Sequence, residues 1–270
     1  MDWNVWLFPS KEELPLQTLT VDGGMCGIFR TIGCVGDSLS SGEFEATGPA
    51  GEKTYHDMFD YSWGQYLARM AGCTVYNFSR GGMTAKEYCE SFAEANGFWA
   101  ADKACQAYIL ALGVNDLYGL NMEVGTLADI CAEDAAKNAP TFAGYYARIL
   151  QRLKTIQPDA RFFLMTMPRD SRDPSHIARG DAHAALLRQM ADYFSNTYVL
   201  DLRQYGPEYD EAFQRRYYMG GHMTPAGYLL TAKLVASYLD YIIRHNPEDF
   251  KQVGFIGTPL HNAEADRAEG

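Results

Sequence analysis

Four polar positions spread along this 270-residue chain are of the types that acyl transfer needs: Ser38, the Gly81-Gly82 pair, Asn115 and His222. The reaction requires an oxygen nucleophile, a base to take its proton, and donors aimed at the oxyanion that develops. A serine hydroxyl supplies the first and an imidazole the second. A backbone N–H at a glycine and a carboxamide side chain supply the third. The four are far apart in sequence, so the chemistry exists only if the fold gathers their segments at one edge.

The flanking residues predict elements that would do this. An apolar, β-prone run over 28–35 stops at the turn Gly36-Asp37-Ser38, where Asp37 reads as a turn and hydrogen-bonding residue rather than an acid. A second strand, Thr74-Val75-Tyr76-Asn77-Phe78, breaks at Ser79-Arg80-Gly81-Gly82. A third covers 107–112 and stops at Gly113-Val114-Asn115-Asp116; the fourth and fifth cover 161–167 and 198–201. Buried parallel strands present their carboxyl ends to ligands, which places the first three turns on one edge. Helices are predicted over 61–71, after Thr84 with Glu87 completing a capping-box pattern, and over 140–157 and 176–195. The last starts at Thr224 with Pro225 in its first position, just after His222. Residues 37–60 show no period and predict a long loop over the strand end. Strand and helix alternate with no internal repeat or linker. The reading is therefore one α/β domain over 26–250, a doubly wound parallel sheet in a three-layer α/β/α arrangement, with an arm at 1–25 and a tail at 251–270.

With these segments in order, the chain resembles the GDSL, or SGNH, hydrolases. Gly36-Asp37-Ser38-Leu39-Ser40 is similar to the first block of that family, whose serine is the nucleophile. Asn77-Phe78-Ser79-Arg80-Gly81-Gly82 resembles the second, whose oxyanion glycine stands five residues after the asparagine, which implies Gly82. Gly113-Val114-Asn115-Asp116 matches the third and implies Asn115 as an oxyanion donor; Gly221-His222-Met223-Thr224-Pro225 resembles the fifth and implies His222 as general base. The resemblance also implies a flavodoxin-like strand order, 2-1-3-4-5, and a serine esterase that needs no cofactor or metal. Polar, aromatic loops point away from long acyl chains, so esters of small molecules or glycans are the expected substrates, with carbohydrate O-acetyl esters as one class. The alternatives are a lysophospholipase or thioesterase, and a non-catalytic carbohydrate-binding protein on the same fold.

One position departs from the pattern. The family places an aspartate three residues before the histidine, and here that residue is Met219. Such a carboxylate orients the imidazole and stabilises the imidazolium. Either a backbone carbonyl near Met219 or Gly220 takes its place, or a loop carboxylate from Glu208, Asp210 or Glu211 does, or the enzyme is slow or inert.

Composition bounds the rest. A net charge of −11 with no basic run longer than Arg215-Arg216 argues against nucleic acid or an anionic membrane as partner. No apolar run reaches the about 18 residues of a membrane span. The opening Met1-Asp2-Trp3-Asn4 lacks a basic region leading into an apolar one, and the six cysteines have no Cys-x-x-Cys spacing. Both point to reduced thiols and a cytoplasmic protein. His176 and His183 lie roughly 10 Å apart along a helix, too far to share a metal, and read as surface histidines; His56 and His245 read as solvated.

Overall fold

The computed structural model describes residues 6–170 and 174–265. Trp3, with the rest of the first five residues, and the last five residues of the tail lie outside them.

Five parallel strands form the central sheet: β1 (Thr31–Gly36), β4 (Thr74–Asn77), β5 (Ala107–Ala111), β6 (Arg161–Met165) and β7 (Thr197–Leu200). Their order is β4-β1-β5-β6-β7, so β1 is central and, ranked along the chain, the sheet reads 2-1-3-4-5. Residue parity divides the core between the two faces. Ile32 and Cys34 of β1, Ile109 of β5 and Phe163 of β6 join one cluster, which contains Trp63 and Leu67 of the helix Trp63–Ala71 and Leu239 of the helix Pro225–His245. Val35, Tyr108, Leu110, Phe162 and Leu164 join the other, with Tyr146 and Leu150 of the helix Phe142–Ile156 and Leu187 of the helix Pro174–Tyr193. Period-two alternation with both faces buried is what a parallel sheet between helical layers demands.

Local signals act where they were expected. The Thr224 hydroxyl accepts the Gly227 N–H at 3.2 Å, with Pro225 in the first turn. Thr141 caps the helix Phe142–Ile156, accepting from Gly144 N–H. The Thr84 hydroxyl accepts the Glu87 N–H, but the Glu87 carboxylate turns away to Arg80 at 2.7 Å, so the capping box is only half made. All six cysteines are free.

Three expectations are corrected. Residues 37–60 are not a loop: after a helical turn at Ser38–Ser41 they form an antiparallel hairpin, β2 (Glu43–Thr47) with β3 (Lys53–Asp57). Polar residues dominate both strands, so the alternation that marks them is short and weak. His183 is not at the surface. Its helix turns Gly180, His183, Ala184 and Leu187 inward, and the ring is 0% exposed with Nε2 3.1 Å from the Leu112 carbonyl oxygen. His245 is not solvated either, because its Nδ1 lies 2.8 Å from the Tyr241 carbonyl oxygen and its ring packs on Tyr241. Beside it, Glu13 makes a two-pronged pair with Arg244 at 2.7 and 3.0 Å, which ties the leading segment to the helix Pro225–His245.

Candidate active site

β1 runs into Asp37, and Ser38 is the first residue of the helical turn that follows. Asp37 accepts the Leu39 N–H at 3.1 Å and is buried. Burial pushes its carboxyl up to about 7, with the negative charges of Asp116 and Glu43 adding to the rise. A Cβ at Gly36 would stand 2.2 Å from the Ser40 hydroxyl oxygen, so the tight entry into this turn requires glycine. Ser38 itself is half-buried.

The turn after β4 is built by short polar contacts. Asn77 accepts the Ser79 N–H at 2.9 Å, and the Ser79 hydroxyl donates to the Cys34 carbonyl at 2.8 Å. Gly82 has φ +71° and is exposed, with open space where a Cβ would stand. The conformation, not crowding, calls for glycine there. The turn after β5 is fastened to this one. Asn115 donates its side-chain amide to the Met83 carbonyl at 3.0 Å, and buried Asp116 accepts the Ala85 N–H. Burial raises the Asp116 carboxyl to about 6, opposed by these backbone N–H groups. Thus the residue after Gly82 and the side chain of Asn115 are held together.

His222 stands in a two-residue strand, β9 (His222–Met223), paired with β8 (Tyr218–Met219) across Gly220-Gly221. The turn Ser38–Ser41, the strand β2 and the strand β9 are mutual neighbours, so the hydroxyl-bearing and imidazole-bearing segments meet. Met219 lies directly opposite His222 in the pairing and is 49% exposed. Neither a carbonyl near it nor the three loop carboxylates occupies the imidazole. Glu208 is exposed, Asp210 caps the helix Glu211–Tyr217 by accepting Phe213 N–H at 2.8 Å, and Glu211 faces Arg215.

The carboxylate that reaches the ring is Glu43, whose Oε1 is 2.9 Å from His222 Nε2. Cross-strand pairing sets Glu43 beside Asp57 and Glu45 beside Tyr55, so all four share the hairpin face turned to the histidine. Glu45 accepts the Gly221 N–H at 2.8 Å and pairs with Lys53 at 2.8 Å. The Tyr55 ring meets the imidazole edge-on, with centroids 5.6 Å apart. The Tyr228 hydroxyl donates to the Glu43 carbonyl at 2.6 Å and fixes the start of the hairpin. Burial holds the imidazole below its ordinary pKa, against the negative charges of Glu45 and Asp57; burial and Asp57 raise Glu43. The His222 ring is therefore neutral at pH 7. Its Nδ1 is buried and has no hydrogen-bond partner among the described residues.

Sequence reasoning missed Glu43 because it lay in the stretch read as loop. The alternation Glu43-Phe44-Glu45 followed by Tyr55-His56-Asp57 was the available signal. A separate cavity of about 580 Å³, lined by Cys89, Trp99, Arg148 and Lys154 among others, shares no residue with this site. Among the described residues no group of three or more His, Cys, Asp or Glu is placed to hold a metal ion, and no helix is long and apolar enough to cross a membrane.

A family profile described as GDSL-like Lipase/Acylhydrolase family matches residues 34–230, a span that includes all four positions. No curated protein sequence matches. Among solved structures, a family two carbohydrate esterase from Clostridium thermocellum in complex with cellohexaose superposes with a TM-score of 0.55 at 14% identity, over 79% of this chain and 64% of that one. A carbohydrate esterase family 2 enzyme plus carbohydrate binding domain from Corynascus thermopiles (Myceliophthora fergusii) gives 0.54 at 15% identity, over 85% and 69%. A carbohydrate acetylesterase from Sinorhizobium meliloti gives 0.50 at 13% identity, over 79% and 99%. At these identities the likeness establishes the fold.

Proposed function

The chain belongs to the GDSL-like lipase/acylhydrolase family and is an ester hydrolase, and from that premise we propose that it cleaves small acyl esters of carbohydrates through Ser38 and His222. The observation that carries this reading is the meeting of two segments: the turn bearing Ser38 lies against the strand bearing His222. Asn115, fastened beside Gly82, supplies the complementary donors.

In this mechanism His222 takes the Ser38 proton as the serine oxygen attacks the ester carbonyl. The oxyanion is received by the Gly82 and Ser38 N–H groups and by the Asn115 amide. That amide has two N–H donors, and the Met83 carbonyl occupies one. The imidazolium returns its proton to the leaving alcohol. Water then attacks the acyl-enzyme by the same route and releases the acid. The neutral imidazole at pH 7 suits the first step.

Charge and fold support the substrate class. Glu43, Glu45 and Asp57 stand on the hairpin face turned to the histidine, and this negative field disfavours anionic esters such as acyl-CoA relative to neutral sugar esters. Three neighbours of the same fold are carbohydrate esterases by name. The test is labelling with a serine-directed fluorophosphonate, with Ser38→Ala as control, followed by hydrolysis of aryl acetate against aryl octanoate and of acetylated sugars. Labelling that depends on Ser38, with acetyl preferred, supports the reading. Absence of labelling removes it, and preference for octanoyl replaces the substrate class.

A further inference from the structure

We propose that Glu43 is the positioning carboxylate of His222, supplied from the β2–β3 hairpin in place of the acid missing at Met219. The inference rests on His222 being the general base.

The geometry assigns the protons. Glu43 Oε1 lies 2.9 Å from Nε2, while Nδ1 is buried without a partner among the described residues. A buried N–H left unpaired is rarer and costlier than an unpaired acceptor. The neutral ring therefore carries its proton on Nε2, donated to Glu43, and keeps its lone pair on Nδ1. Ser38 makes no hydrogen bond to Nδ1 in this structure, so its hydroxyl must close on that atom during the reaction; the proton it delivers there makes an imidazolium whose Nε2–H already faces a carboxylate. That proton then passes from Nδ1 to the leaving alkoxide, and Nε2–H stays in place throughout. Charge-assisted pairing of this kind is worth more than a neutral hydrogen bond, so Glu43 favours the state formed during the reaction.

Glu43 is also held for the task. Its side chain is 13% exposed and that of His222 14%, so solvent screens the pair little. Its second oxygen lies against the bare α-carbon of Gly81, where a Cβ would stand 1.8 Å away. Its own carbonyl is tied to Tyr228, and its neighbour Glu45 anchors Gly221, the residue just before the histidine. The groups facing the ring are thus Glu43, Glu45, Tyr55 and Asp57 from the hairpin, and only Glu43 reaches a ring nitrogen.

The decisive experiment compares Glu43→Gln with Glu45→Gln in the full chain. Glu43→Gln is expected to lower kcat by ~10⁴-fold with KM little changed, as loss of the orienting carboxylate does in serine proteases. In a Ser38→Ala background, NMR titration of His222 should give a lower pKa with Glu43→Gln than without it, and the acid limb of the pH–rate profile should move the same way. A Glu43 that held the hairpin without facing the ring in solution would leave that pKa unmoved. Glu45→Gln keeps an acceptor for Gly221 N–H and breaks no contact with a ring nitrogen, so kcat should fall far less, although loss of its charge also lowers the His222 pKa. Equal effects of the two substitutions on kcat, an unchanged His222 pKa, or a Glu43→Gln enzyme of undiminished or raised activity would each overturn the proposal. If Glu43→Gln does not fold, Gly81→Ala, which drives the carboxylate away from the opposite side, must reproduce the loss. Failure of the underlying reading looks different: the unmodified protein would not be labelled at Ser38.

Discussion

The carboxylate of Asp116 accepts the backbone N–H of Ala85 on both of its oxygens, at 2.9 and 3.0 Å. Two strands' turns are thereby fixed to each other at the point where Asn115 and Gly82 must agree in position. Asp116→Ala leaves that buried N–H unpaired and is expected to cost ~1–3 kcal/mol of stability. Chemical denaturation measures it, and activity should fall along with it because Asn115 is the adjacent residue.

Asn115→Ala separates the donor from the scaffold. With Asp116 intact the fold should hold, and kcat should fall by ~10²–10³-fold, the usual loss for one oxyanion donor. Ser38→Ala must cost more. Steady-state kinetics on an aryl acetate reads both, and equal small losses would contradict the roles assigned to them.

Gly82→Ala and Gly81→Ala should part company. The first forces alanine into φ +71° in open space, so it is expected to cost ~1–2 kcal/mol of stability. The second meets the Glu43 carboxylate and should reduce turnover more than it reduces Tm. Paired melting curves and kcat values check the contrast.

Asp37 gives a pH signature. Its carboxyl titrates at about 7 in the folded chain against an ordinary 3.8, so the folded state holds the proton more tightly than the unfolded one. That contribution to stability is complete below about 3.8 and is lost as pH rises through about 7. Asp37→Asn keeps an acceptor for Leu39 N–H but cannot ionise. Its Tm relative to the unsubstituted protein should therefore rise steadily from pH 4 to pH 8, and a constant difference would refute the assignment.

Much of this arrangement was legible because its signals are local. A strand that ends in glycine, a threonine before a proline, and an apolar run flanked by turns each act within a few residues, and β1, β4, β5 and the start at Thr224-Pro225 follow from them. The hairpin escaped because its strands are short and polar, and polar alternation is weak evidence of a strand. Glu43 escaped for a further reason: its partner His222 lies in the last third of the chain, and nothing near Glu43 announces the pairing. His183 was misplaced although Gly180, Ala184 and Leu187 share its helix face; its imidazole was read as polar, whereas one bond to the Leu112 carbonyl suffices to bury it. Met219 shows the reverse case, an absence visible in sequence whose compensation only the folded chain reveals.

The hairpin is a detour. It leaves the body at Gly42 and returns before the helix Trp63–Ala71, and its two strands pair only with each other, outside the parallel sheet. The charges that oppose the effect of burial on the imidazole thus come from an appendage that adds no strand to the parallel sheet, with Phe44 packed on Tyr61 and Tyr228. A lineage carrying such an appendage could retune the pH range of its hydrolysis by substitutions there alone, while one that lost it would have to regain a carboxylate beside the histidine.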